Sequence, residues 1–165
     1  MLTGAPGVGK STVARALAAR FPRAFVIPMD DLREWVVSGR EDPGPNWNDE
    51  TTRQFDLAYH AAADLADRYS QAGFAVIIEH VVFPHEEEKL LARLSDREYR
   101  TVMLDCRAET NHHRNQTRTG KNMNPHDLTP LIDHIRDGLQ PAAHWLRIDS
   151  TDLTVEETVD LIISS

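Results

Sequence analysis

Eight residues near the start of the chain, Gly4-Ala5-Pro6-Gly7-Val8-Gly9-Lys10-Ser11, fit the pattern G-x-x-x-x-G-K-[ST] at every fixed position. Glycines let the backbone curl around phosphate oxygens with its N–H groups pointing inward. Val13, Ala14, Leu17, Ala18 and Phe21 follow at helical spacing, so the loop opens a helix whose positive end faces the same anion. Lys10 has the reach for the β and γ phosphates, and the Ser11 hydroxyl is a ligand for Mg²⁺. A chance glycine-rich turn is the competing explanation, and the βα alternation downstream argues against it. The expected nucleotide site is Gly4, Ala5, Pro6, Gly7, Val8, Gly9, Lys10, Ser11 and Thr12. Only Met1, Leu2 and Thr3 precede the motif. A strand usually needs about five residues, so the expectation is a very short first strand or a natural start upstream of Met1.

Short apolar runs alternate with helical patterns along the rest of the chain, which predicts an α/β fold around a parallel sheet. The runs are Ala24–Met29, Phe74–Ile78, Tyr99–Leu104 and Trp145–Ile148. Thr51 and Gln54 suggest a capping box for a helix burying Phe55, Ala58, Tyr59, Ala62, Leu65, Ala66 and Tyr69. Further helices are predicted over 86–94 and 108–118. Thr129 and Pro130 read as the cap and first position of another, with Gly138 closing it. Thr154 and Glu157 box a last helix that turns Val155, Val159, Ile162 and Ile163 inward. No repeat or linker divides the chain, so residues 1–165 are expected to form one domain.

Composition narrows the function classes. The 165 residues carry 18 Lys+Arg and 26 Asp+Glu, a net charge of −8, which opposes a nucleic-acid-coating role. The longest apolar runs are far too short to span a membrane. No basic segment followed by an apolar one marks a secretory signal. The single cysteine, Cys106, cannot form an internal disulfide and suits a reducing cytoplasm.

Several residues carry the right chemistry for phosphoryl transfer. Asp30 and Asp31 follow the second apolar run, where a carboxylate can take the proton of an attacking hydroxyl or align it. Asp30 is the preferred base and Asp31 the reserve, either being equally able to cap a helix. Arg33 could hold an anionic group of the acceptor. Val76-Ile77-Ile78-Glu79 is an apolar run ending in an acid, and Glu79 could hold Mg²⁺ through water or orient the acceptor, a solvent-facing strand end being the competing explanation; His80 beside it is a candidate acceptor contact. Arg114 and Arg118 lie four apart on one helix face and lead into the polar break Thr119–Pro125. This suggests a short lid over about 114–126 whose arginines, with Lys121 a further candidate, neutralise the transferred group. Weaker readings are a metal role for His85–Glu88, an unpromising pair in His112 and His113, a pocket wall or staple in Trp47, and a core role for Cys106.

These motifs resemble those of the small P-loop kinases and phosphotransferases, a group that includes shikimate and gluconate kinases, chloramphenicol phosphotransferase and polynucleotide 5′-hydroxyl kinases. The resemblance rests on Gly4–Ser11, Asp30–Arg33, Ile77–Glu79 and Arg114–Arg118. It implies a three-layer P-loop NTPase sandwich, a mostly parallel sheet of about five strands with helices on both faces, Mg-ATP as donor and a hydroxyl acceptor. It implies Asp30 as the acceptor-activating carboxylate and Arg118 as a lid arginine. Asp30-Asp31-Leu32-Arg33 and Arg114-Asn115-x-x-Arg118 are most similar to the polynucleotide kinase version, against which the charge of −8 stands. The expected function is a kinase acting on a small-molecule hydroxyl. The alternatives are a polynucleotide 5′-hydroxyl kinase-like enzyme and a regulatory nucleotide-binding ATPase.

Overall fold

A computed structural model describes residues 1–44, 46–94, 98–116 and 125–165, the side chains of 125–131 excepted. Five strands, β1 (Leu2–Thr3), β2 (Ala24–Pro28), β3 (Ala75–Glu79), β4 (Val102–Asp105) and β5 (Leu146–Asp149), form one sheet in the order β2-β3-β1-β4-β5. Every neighbouring pair is parallel, so the mostly parallel sheet expected from the sequence is wholly parallel. The helices are α1 (Lys10–Ala18), α2 (Met29–Glu34), α3 (Asp49–Gln71), α4 (Pro84–Leu91), α5 (Ala108–Gln116), α6 (Pro125–Gly138) and α7 (Val155–Ser164).

Successive side chains of a strand point to opposite faces, and the core divides accordingly. Ile77, Val102 and Leu104 join Val13, Ala14 and Leu17 of α1 and Val159 and Ile162 of α7 on one face. Ile27 and Ile78 join Phe55, Tyr59, Ala62 and Ala66 of α3 and Leu90 of α4 on the other. Met103 packs with Leu139 and Trp145. The result is the P-loop NTPase α/β architecture, a parallel sheet between two helical layers.

β1 holds only two residues yet lies at the middle of the sheet, with Leu2 in register with Glu79 on one side and Val102 on the other. A side chain lengthens its pairing. Thr3 Oγ1 donates to the Val82 carbonyl at 3.1 Å and accepts from the Val82 N–H at 2.9 Å.

Four local expectations are corrected. The α3 capping box is Asn48 with Thr51, each side chain bonded to the other's backbone N–H, so the helix begins ahead of Thr51. Gln54 is thereby released for other bonds. α6 runs over Pro125–Gly138, so Thr129 and Pro130 lie within it rather than at its start. Ile163 of α7 is exposed, since the Thr154–Glu157 box sets Val159 and Ile162 inward. Phe21 lies beyond α1 and is exposed rather than part of its buried stripe.

Candidate active site

The five strands end on one rim, and the loops there surround a cavity of about 1070 Å³. In a parallel sheet this is where ligands gather, above the strand carboxyl ends where the chain order switches direction.

The loop after β1 forms its floor. Gly4, Gly7 and Gly9 have φ of 141°, 85° and 103°, values that side-chain-bearing residues rarely adopt. Gly9 then caps α1 with no side-chain bond, and the first turn of α1 carries no acid. Its leading N–H groups are therefore free of a built-in carboxylate and available to an anion. Lys10 is buried, and its Nζ donates to the carbonyls of Gly4 at 2.9 Å and Ala5 at 3.2 Å. Ser11 Oγ donates to Glu79 Oε1 at 2.7 Å, which joins the start of α1 to the end of β3. That pair of hard oxygen ligands fits Mg²⁺, an ion that commonly takes one or two protein oxygens and otherwise binds phosphate and water.

The β2–β3 side forms one wall. Asp30 lines the cavity, half-buried, and Asp31 is exposed and does not line it. Neither caps α2, whose cap position is Pro28. His80 is buried, with Nδ1 3.3 Å from Asp30 Oδ1 but outside hydrogen-bond geometry. Arg33 also lines the cavity. Its guanidinium lies 3.9 Å from the centroid of Phe55, and Nη2 donates to the Glu41 carbonyl at 2.8 Å. Its Nε is buried without a hydrogen-bond partner, and burial pulls its pKa down, with Asp30 and Asp42 opposing.

Trp47 serves in both ways the sequence suggested. It lines the cavity, tilts onto Phe55 at 4.8 Å and donates Nε1 to Thr52 Oγ1 at 2.8 Å. The loop carrying it is pinned by Gln54, which accepts from the Glu41 N–H at 3.0 Å and donates to the Gly39 carbonyl at 2.8 Å.

The opposite wall comes from α5, α6 and the segment after β5, including Ile135, Ser150, Leu153, Val155 and Thr158. Arg114 lines it and donates to the carbonyls of Val8 and Ser150, each at 3.2 Å. Arg118, Lys121 and the middle of the expected lid lie outside the described residues.

Sequence reasoning missed Phe55, Phe83, Glu86 and Asn115 as cavity-lining residues. Asn115 stood in the Arg114-Asn115-x-x-Arg118 string, which gave it no role of its own. Among the described residues no group of three His, Cys, Asp or Glu could hold a metal ion. In the His85–Glu88 run, Glu87 is buried and accepts from Trp145 Nε1 at 2.6 Å and from the Thr101 hydroxyl, with His144 Nε2 at 3.0 Å, a tie within the core. His112 pairs instead with Asp133 at 2.9 Å, and Cys106 is a core residue whose thiol pKa burial pushes up.

Residues 1–138 match the family AAA_33, described as an AAA domain. None of the curated proteins matches the chain. Solved structures give the same fold at low identity. A gluconokinase from Sinorhizobium meliloti 1021 is 18% identical at a TM-score of 0.69, covering 99% of this chain and 87% of its own. The Mycobacterium tuberculosis APS kinase in complex with AMPPNP and APS is 19% identical at 0.67, covering 99% and 93%. A tunicamycin resistance protein from Deinococcus radiodurans is 17% identical at 0.69, covering 99% and 91%.

Proposed function

The chain belongs to the AAA domain family AAA_33, and from that premise we propose that it is a kinase transferring the γ-phosphoryl group of Mg-ATP to a hydroxyl of a small molecule, with residues 1–165 acting as one domain. One observation carries the reading: a phosphate-binding loop and Asp30 face the same cavity. An ATP sensor has no use for a carboxylate on the acceptor side.

In the transfer the acceptor oxygen attacks the γ phosphorus, the bond from that phosphorus to the β–γ bridging oxygen breaks, and ADP leaves. The hydroxyl proton passes to the Asp30 carboxylate, which faces the cavity. Lys10 turns from the Gly4 and Ala5 carbonyls to the β and γ phosphates. Ser11 and Glu79 would hold the magnesium, Glu79 through water, and the ion would supply charge neutralisation across the phosphates. The unpartnered Nε of Arg33 takes an oxygen of the acceptor, completing a buried donor otherwise costly to leave unmade. Arg114 and Arg118 close over the nucleotide. Gly4–Thr12 form the nucleotide cradle, and His80 adds an acceptor contact. Among the described residues no helix is long and apolar enough to cross a membrane. We assign the enzyme to the cytoplasm, where a lone thiol stays reduced.

The test is an ATP-consumption screen across sugars, nucleosides, antibiotics and 5′-hydroxyl oligonucleotides. One acceptor class should stimulate turnover. Lys10→Ala should abolish that turnover, and normal transfer by this variant would sink the assignment. Asp30→Asn should keep ATP binding and lose roughly 10²–10⁴-fold in transfer. The same loss in Asp31→Asn instead would move the base by one residue. Stimulation by oligonucleotides alone would select the polynucleotide reading.

A further inference from the structure

The phosphate-binding loop is braced from the α5 wall by two asparagines to which no role is given above. Asn111 and Asn115 lie one turn apart on α5, and both are buried. Asn111 Nδ2 donates to the Pro6 carbonyl at 2.8 Å, and Asn115 Nδ2 donates to the same oxygen at 3.1 Å and to the Asn111 carbonyl at 3.0 Å. The contact is close enough to exclude any side chain at residue 7. A Cβ on Gly7 would fall 1.9 Å from Asn115 Nδ2. The pairing also leaves Asn111 Oδ1 buried with no hydrogen-bond partner. Rotating that amide would set two oxygens face to face, so the Pro6 carbonyl dictates its orientation.

The geometry of the peptide gives this brace a consequence. The described chain has no cis peptide bond, and in a planar trans peptide the C=O and N–H point in opposite directions. Two donors that fix the Pro6 carbonyl toward α5 therefore fix the Gly7 N–H away from α5. Gly7 lines the cavity. We propose that Asn111 and Asn115 are positioning residues that aim the Gly7 N–H at the phosphates of the bound nucleotide, so that α5 presets the anion cradle before the nucleotide arrives. The inference rests on the nucleotide site proposed above. Without the pair, Gly7, whose φ of 85° is one of many it can adopt, must be ordered by the ligand itself.

The experiment is calorimetric titration of Mg-ATP and of magnesium tripolyphosphate, which has phosphates and no base, into the wild-type chain, Asn115→Ala and Asn111→Ala. Both variants should lose at least about fivefold in affinity for both probes, the worth of roughly one oriented hydrogen bond. Variants that melt cooperatively and bind tripolyphosphate as wild type does would overturn the positioning role while the nucleotide site stood. A wild-type chain that binds neither probe would overturn the site itself. The wild-type Gly7 amide resonance gives a test independent of any variant. It should move downfield on addition of tripolyphosphate, and an unmoved resonance in a chain that binds the probe would overturn the proposal.

Discussion

Gly4 and Gly9 both sit at positive φ, yet they answer different constraints. A Cβ on Gly4 would lie 2.2 Å from the Leu104 carbonyl oxygen, which is backbone of β4 and cannot swing aside. A Cβ on Gly9 would meet nothing within 4 Å, so only the torsional strain of its φ of 103° remains. Gly9→Ala should cost roughly 1–2 kcal/mol. Gly4→Ala should cost distinctly more, because moving a central strand adds to the same strain. Urea denaturation of the two variants checks the order, and equal costs would contradict it. The motif made these glycines legible as a set, since its pattern specifies their positions. It could not rank them, because the rank depends on an oxygen 100 residues away. Asp30 and Asp31 show the same limit. Adjacent in sequence and alike in chemistry, they differ in that one lines the cavity and the other faces solvent.

Among the elements, α3 carries the clearest amphipathic pattern and also the plainest misreading. Thr51-x-x-Gln54 has the form of a capping box, but Asn48-x-x-Thr51 wins by three residues. Asn at the cap is among the best acceptors for a free helix N–H, so Asn48→Ala should cost about 1 kcal/mol in an equilibrium melt. The first turn also carries a pH signature. Hydrogen bonds from Arg53 and then Gln54 hold the Glu50 carboxyl at about 2, below its ordinary 4.5. The unfolded chain takes up that proton first. The contribution of this carboxylate is therefore complete above about 4.5 and lost as pH falls from there through about 2. The stability difference between wild type and Glu50→Gln should stay level from neutral pH to about 5 and close toward pH 2. A difference that does not change with pH would refute it. The periodicity of α3 was readable because burial repeats every turn. Its start was not, because two local patterns competed and packing of the preceding loop onto Gln54 chose between them.

For the molecule as a whole, the net charge of −8 contrasts with a cavity into which Lys10, Arg33 and Arg114 are gathered. A ligand bound only by the folded chain stabilises it by mass action. Mg-ATP at a hundred times its Kd should add about 2.7 kcal/mol, a rise in Tm of roughly 5–11 °C for a chain of this size. Lys10→Ala should show almost none of that rise. Alternation of strand and helix was enough to foresee a parallel sheet. The strand order was beyond it, because β1 bonds to partners at Glu79 and Val102, and no local pattern names them.

That central position of β1 sets a kinetic order. Each of its pairings closes a loop of more than 75 residues, whereas β2 meets β3 across about 50. Contacts between such distant segments form slowly and reward the chain only once both partners are in place. The two-residue strand cannot nucleate the sheet, and the cradle hung from it acquires its shape after β3 and β4 have been assembled. In refolding, recovery of nucleotide affinity should trail recovery of helical signal, so the capacity to bind phosphate marks the completion of the sheet.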